Sequence, residues 1–142
     1  MRKLIEPVAC ALVAAGAVAA PVLADELSAK TAVMSRGWEF AERGGADLFN
    51  NVCAACHQPD AKGAIGAAAY PSLATNTKLA STDFVLGVLL EGLRGMPPVG
   101  DMMNDEQVAD VVTYVRTHFG NSYGPVSAAE VSAARRRAKP AP

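Results

Sequence analysis

Aromatic side chains are scarce in this 142-residue chain, at 6%, and the basic residues do not interleave with them. A base-stacking nucleic-acid surface is therefore excluded. An excess of one charge is lacking too. Thirteen Lys and Arg stand against 14 Asp and Glu, for a formal net charge of −1, which suggests neither a nucleic-acid surface nor an acidic tail. Only three cysteines and two histidines occur, too few for a four-ligand structural zinc site beside any other use. No convincing alternating apolar-polar run marks a β-strand. The length points to one domain after processing.

What is present begins with a leader. Met1, Arg2 and Lys3 make a positive start, residues 8–23 are almost wholly apolar, and Val22, Leu23 and Ala24 put small residues before Asp25. That order is the one of a cleaved secretory signal peptide, residues 1–24. The apolar run falls below the roughly 20 residues that a spanning helix wants, and Pro21 sits near its end. No stable membrane span is expected after processing, and the protein is placed in the periplasm. Cys10 reads as a small apolar residue of the discarded segment. Residues 25–126 carry seven basic against twelve acidic side chains, whereas Arg135, Arg136, Arg137 and Lys139 crowd the tail. Such a body and tail would steer a partner or serve as two solvated surfaces.

Cleavage leaves two cysteines, Cys53 and Cys56, with His57 directly after them. An exported close pair can be a disulfide, a redox dithiol, half a zinc site or a haem attachment point. No second pair exists for zinc, and no βαβ pattern surrounds the motif as a thioredoxin-like dithiol requires. Cys53-Ala54-Ala55-Cys56-His57 is the arrangement of covalent haem. Two thiols add to the two vinyl groups of one haem, so they sit about one helical turn apart. The next residue then aims its imidazole at the iron from the same side.

The surroundings suit that reading. Residues 39–52 read as a helix, with Gly45 and Phe49 stacked on one face with Cys53. The segment 58–82 is loop-like and long enough to wrap a haem, with Pro71 and Leu73 at a distance suited to backing the imidazole. Ser81, Thr82 and Asp83 offer the N-cap region of a helix running to about Leu93, with Phe84, Val85, Val88, Leu89 and Leu93 inward. Asn104 and Gln107 open the last main helix, whose stripe is Val108, Val111, Val112 and Val115 with Tyr114 alongside, and Gly120 and Asn121 end it. Residues 127–137 form one more short helix, and the terminal Lys-Pro-Ala-Pro is expected to be disordered. For a sixth iron ligand, His118 reads as a surface residue at a helix end. Met34 precedes the motif, and Met102 and Met103 stay as alternatives. Met96 is preferred, because Pro97 and Pro98 stiffen the segment that presents its thioether.

Gly45, Phe49, the Cys53–His57 motif, Pro71 with Leu73, Met96-Pro97-Pro98 and Tyr114 together resemble the class I monohaem bacterial c-type cytochromes over 44–120. The resemblance implies an all-α cytochrome c fold, three to five helices wrapped around one covalent haem. It implies a first and last helix crossing near Gly45, Phe49, Val111 and Tyr114, a Pro71 carbonyl holding His57, and Met96 on the iron's other face. Its domain lies at 43–121, between an N-terminal extension, 25–42, and a basic, partly disordered C-terminal extension, 122–142. Residues 92–121 are more narrowly similar to cytochrome subunits that accept electrons from periplasmic dehydrogenases. The expected cofactors are one haem c and its iron. The expected work is one-electron transfer from a periplasmic dehydrogenase to a terminal oxidase or another cytochrome, without enzymatic activity of its own. The competing classes are a haem sensor or peroxidase with a displaceable Met96, and a haem-free dithiol protein.

Overall fold

The computed structural model describes residues 39–66 and 68–138. The expected leader, Met34, Trp38 and the terminal Lys-Pro-Ala-Pro lie outside the described residues. The first helical stretch starts six residues later than its apolar spacing suggests. Gly44 stands at φ 79° and ψ 152°, outside helical space, so Phe40 and Glu42 run as an extended lead-in. From there α1 (Gly45–Leu48) passes through a widened π-helical turn (Phe49–Cys53) into α2 (Ala54–His57). One continuous helical rod thus delivers both cysteines and the histidine.

The loop that follows is less irregular than its glycines and small residues suggest. Ala64–Ile65 (β1) and Ala69–Tyr70 (β2) pair antiparallel, with Ala64 opposite Tyr70 and Ile65 opposite Ala69. Two residues per strand are too few to show an alternation in sequence, and the domain remains mainly helical. A 3₁₀ turn, Thr77–Ala80, then leads to α3 (Thr82–Glu91), where the Ser81 hydroxyl accepts from the Phe84 N–H at 3.2 Å. Leu86, Leu89 and Leu90 are its buried residues, whereas Phe84 and Leu93 are 41% and 48% exposed. The inward face differs by about a quarter turn from the expected one: the register of the helix buries Leu86 and Leu90, and Gly92 leaves Leu93 outside it.

After a 3₁₀ turn, Val99–Met102, the capping box of Asn104 and Gln107 opens α4 (Asp105–Thr117). Gln107 accepts from the Asn104 N–H at 2.9 Å, and its Nε2 donates to the Phe40 and Glu42 carbonyls. One amide thus caps a helix and pins the lead-in to it. Val108, Val111, Val112 and Val115 are buried; burial of such a side chain stabilises by about 1.5–3 kcal/mol. α1 crosses α4 at Gly45, where an added Cβ would lie 2.2 Å from the Asp110 carbonyl and 2.5 Å from the Tyr114 Cβ. Only a hydrogen fits there. Phe49, buried in the core, brings its ring centroid to 5.7 Å from that of Tyr114.

The last helix, α5 (Ala128–Ala138), packs on both α3 and α4 and buries Val131 and Ala134. Arg135 is more than a solvated tail charge. Its Nε donates to Asp105 at 2.7 Å, and Nη2 donates to the Met103 and Gly100 carbonyls. Among the described residues, no helix is long and apolar enough to cross a membrane.

Candidate functional site

The site grows from the end of the α1–α2 rod. Cys53 is half-buried and Cys56 exposed, and the two are not joined in a disulfide. Burial first, and then the neighbouring Cys56, pushes the Cys53 thiol up to about 11. An attacking thiol needs a lowered pKa, so Cys53 is poorly suited to that part in thiol–disulfide exchange.

His57, 7% exposed, directs its Nδ1 at the Pro71 carbonyl, 2.9 Å away. A carbonyl oxygen can only accept, so Nδ1 carries the proton and Nε2 keeps a lone pair. That is the tautomer and ring orientation of a metal-ligating imidazole. Pro71 is itself placed by the chain around it: Gly63 donates its N–H to the His57 carbonyl, and Ala61 accepts at its carbonyl from Leu73 and Ala74. Leu73 lies half-buried against the core.

Met96 arrives from another part of the chain, on the turn after α3. Its backbone pairs with Leu93 through two 3.0 Å hydrogen bonds, and it packs partly buried against the core. The other end of that segment is anchored at Gly100, where an added Cβ would lie 2.8 Å from Leu90 Cδ2. Met103 is buried at 4% exposure, while Met102 is half-buried. Tyr114 belongs to the helix crossing: it stacks on His118 at 4.1 Å and meets Phe119 edge-on at 5.6 Å. His118 is exposed and turned back on its own helix, with Nδ1 2.9 Å from the Tyr114 carbonyl.

Two polar residues and one glycine carry structural roles that the sequence pattern did not disclose. Arg116, 4% exposed, spreads its guanidinium over the Leu79, Ala80, Tyr123 and Gly124 carbonyls. Its position four residues after Val112, on the apolar stripe, was the available signal. Asn121 is 6% exposed and bonds to Leu73, Val115 and Asn76. Gly63 sits at φ 72° against the Tyr70–Pro71 peptide.

The donor set fits a covalent haem: two thiols within one helical turn, a carbonyl-backed imidazole beside them, and a thioether on a separate, partly buried turn. Among the described residues, no group of three or more His, Cys, Asp and Glu gathers to hold a bare metal ion. A helical domain with these features is a c-type cytochrome domain. Residues 40–115 match the family described as cytochrome C oxidase, cbb3-type, subunit III; the chain belongs to this family of c-type cytochromes.

The chain is 37% identical over 113 residues to the fructose dehydrogenase cytochrome subunit of Gluconobacter japonicus, covering 69% of this chain and 23% of that protein. It is 35% identical over 105 residues to the gluconate 2-dehydrogenase cytochrome c subunit of Pantoea cypripedii, covering 65% and 24%. Against cytochrome c-552 of Thermus thermophilus it is 29% identical over 120 residues, covering 70% and 79%. The chain thus spans about a quarter of the length of the two dehydrogenase subunits. Electron transfer is the work of c-type cytochromes.

Proposed function

We propose that this domain is a periplasmic one-electron carrier holding a single haem c through Cys53 and Cys56, with His57 and Met96 as axial ligands. The observation that carries the reading is the His57 Nδ1 to Pro71 carbonyl bond at 2.9 Å, which leaves Nε2 alone to meet the iron. The haem supplies the chemistry, a shuttle between ferrous and ferric iron. The protein's part is to hold it, shield it and set its potential. Cys53 and Cys56 tether the group by thioether bonds. His57, its Nδ1 held by the Pro71 carbonyl, would bind one side of the iron and the Met96 thioether the other, which would raise the potential relative to a second histidine. With both positions filled, no site is left for substrate, so the domain passes electrons and performs no other reaction.

The likeness to dehydrogenase cytochrome subunits favours a periplasmic dehydrogenase as donor, by diffusion or in a stable complex, and a terminal oxidase or another cytochrome as acceptor. The apolar stretch at 8–23 supports export by a cleaved leader. The competing reading, a sensor or peroxidase, depends on displacement of Met96. The test is an optical spectrum, oxidised and reduced, of protein exported in a host able to attach haem, repeated after denaturation. A haem c spectrum that survives denaturation, with little carbon monoxide binding, is the expected result. Titratable thiols and no chromophore would overturn it, and ready carbon monoxide binding would favour the sensor reading.

A further inference from the structure

The bond between His57 and Pro71 sets the imidazole's orientation and basicity, so whatever places the Pro71 carbonyl acts on the ligand. A proline has no N–H with which to anchor its own peptide. The restraints come from its neighbours. Upstream, the Tyr70–Pro71 peptide lies against Gly63, where an added Cβ would stand 2.1 Å from the Tyr70 carbonyl oxygen and 2.9 Å from that of Pro71. Downstream, Leu73 is held on both sides of its backbone. Its N–H donates to the Ala61 carbonyl at 2.7 Å, and its carbonyl accepts from Asn121 Nδ2 at 2.8 Å.

Asn121 is the only one of these partners that reaches the loop from the far end of the chain, through its side chain. Its second Nδ2 hydrogen goes to the Val115 carbonyl of α4 at 2.8 Å, and its Oδ1 accepts from the Asn76 N–H at 3.0 Å. Both donors and one acceptor are used on a residue 6% exposed. A flipped amide would set its oxygen against two carbonyls, so the orientation is unique. Thr75 adds a backbone bond to Phe119 beside it, at 3.0 Å. The loop that carries the histidine's acceptor is therefore referenced to the last residues of α4 as well as to its own hairpin.

We propose that Asn121 is a positioning residue for the axial histidine: by clamping Leu73 and Asn76 to the end of α4, it holds the Pro71 carbonyl on the His57 ring and so tunes the iron's potential. The inference rests on the haem reading above. Asn121→Ala leaves Leu73, Val115 and Asn76 without these partners, and the Pro71 peptide gains freedom to drift from the ring. A ring N–H less firmly bonded is a weaker donor of charge to the iron, which disfavours the ferric state.

The experiment compares haem-loaded wild type and Asn121→Ala by NMR exchange of the His57 Nδ1 proton and by redox titration. Exchange about tenfold faster is expected, the equivalent of one lost hydrogen bond. A more positive potential, about threefold in the ferrous-to-ferric ratio at a fixed poise, goes with it, on a scale where 59 mV is tenfold for one electron. Thr113→Val is the control. It removes the bonds between the Thr113 hydroxyl of α4 and the Val126 backbone, and is expected to lower stability without moving either reading. Should Asn121→Ala not fold, Asn121→Ser, which puts one hydroxyl in place of the amide, is expected to shift both in the same sense by less. Unchanged exchange and potential in a less stable Asn121 variant, or equal shifts in Thr113→Val, would overturn the inference alone. A wild type without covalent haem would overturn it together with the haem reading.

Discussion

Two irregular segments carry the candidate axial ligands' surroundings, and they are held in opposite ways. On the histidine side, 58–76 is fixed from elsewhere by Asn121, beyond α4, and by Phe119 through Thr75, and within itself by the Ala61 carbonyl under Leu73 and Ala74. On the methionine side, 93–99 is held by the reciprocal Leu93 and Met96 bonds, while Arg94, Gly95, Pro97 and Pro98 stand exposed. Covalent stiffness of the paired prolines takes the place of tertiary bonds there. Regions with few buried contacts open at lower free energy. The proposed ligation therefore sets a firmly held histidine against a thioether that yields first.

The largest expected effect separates the two ligands themselves. His57→Ala should largely abolish stable holoprotein, because the ligand that anchors the iron beside its tether is gone. Met96→Ala should keep the covalent haem, lower the potential and open the iron to carbon monoxide. Absorption spectra and a redox titration of both variants check this. Normal low-spin haem in His57→Ala would reverse the comparison. Unchanged ligation in Met96→Ala would move the thioether to Met102 or Met103, of which Met103 would have to leave the core, where it is 4% exposed.

A smaller effect comes from one methyl group on each side. At Gly63 a Cβ would collide with the Tyr70 and Pro71 carbonyls on a backbone at φ 72°, whereas at Gly95 nothing lies within 4 Å. Gly63→Ala should destabilise by about 2–4 kcal/mol, through strain and a displaced peptide, and Gly95→Ala should stay within about 0.5 kcal/mol. Urea unfolding measures both. Equal losses would show that the methionine turn is as tightly determined as the histidine loop.

What the sequence disclosed followed from local spacing. The attachment motif, the cap region at 81–83 and the Asn104 cap are each short patterns whose chemistry names its own partner, whereas the Gly45–Tyr114 crossing and the Pro71 carbonyl came with the family resemblance. The start of α1 was misplaced because Phe40 has helical spacing to the next apolar residues, while Gly44 breaks the backbone between them. Phe84 and Leu93 were expected inward from apolarity alone, yet the register of α3 turns Leu86 and Leu90 to the core instead. Asn121, Arg116 and Arg135 were missed for a different reason. Their acceptors are mostly backbone carbonyls, which every residue carries, so no residue type elsewhere in the chain marks where such a side chain will bind.

The smallest effect tests the same asymmetry by acid. Asp60 follows His57 by three residues, and its carboxylate accepts from the Lys62 N–H at 3.1 Å and pairs with the Lys62 ammonium at 3.1 Å. The backbone bond from Lys62 leads the causes that hold Asp60 below its ordinary value of 3.8. A depressed carboxylate contributes stability that is present above the unfolded value and is lost as pH falls through the folded one. The group is exposed, so solvent and salt screen the contribution and it cannot unfold the domain by itself. The 93–99 turn contains no Asp or Glu and has no equivalent titration. As pH falls below about 4, the Lys62 amide resonance should move, while those of Gly95 and Met96 should stay. Asp60→Asn should remove the Lys62 transition. Movement of the Met96 amide in step with Lys62 would mean that the two segments respond as one body, and the difference in how they are held would no longer account for their behaviour.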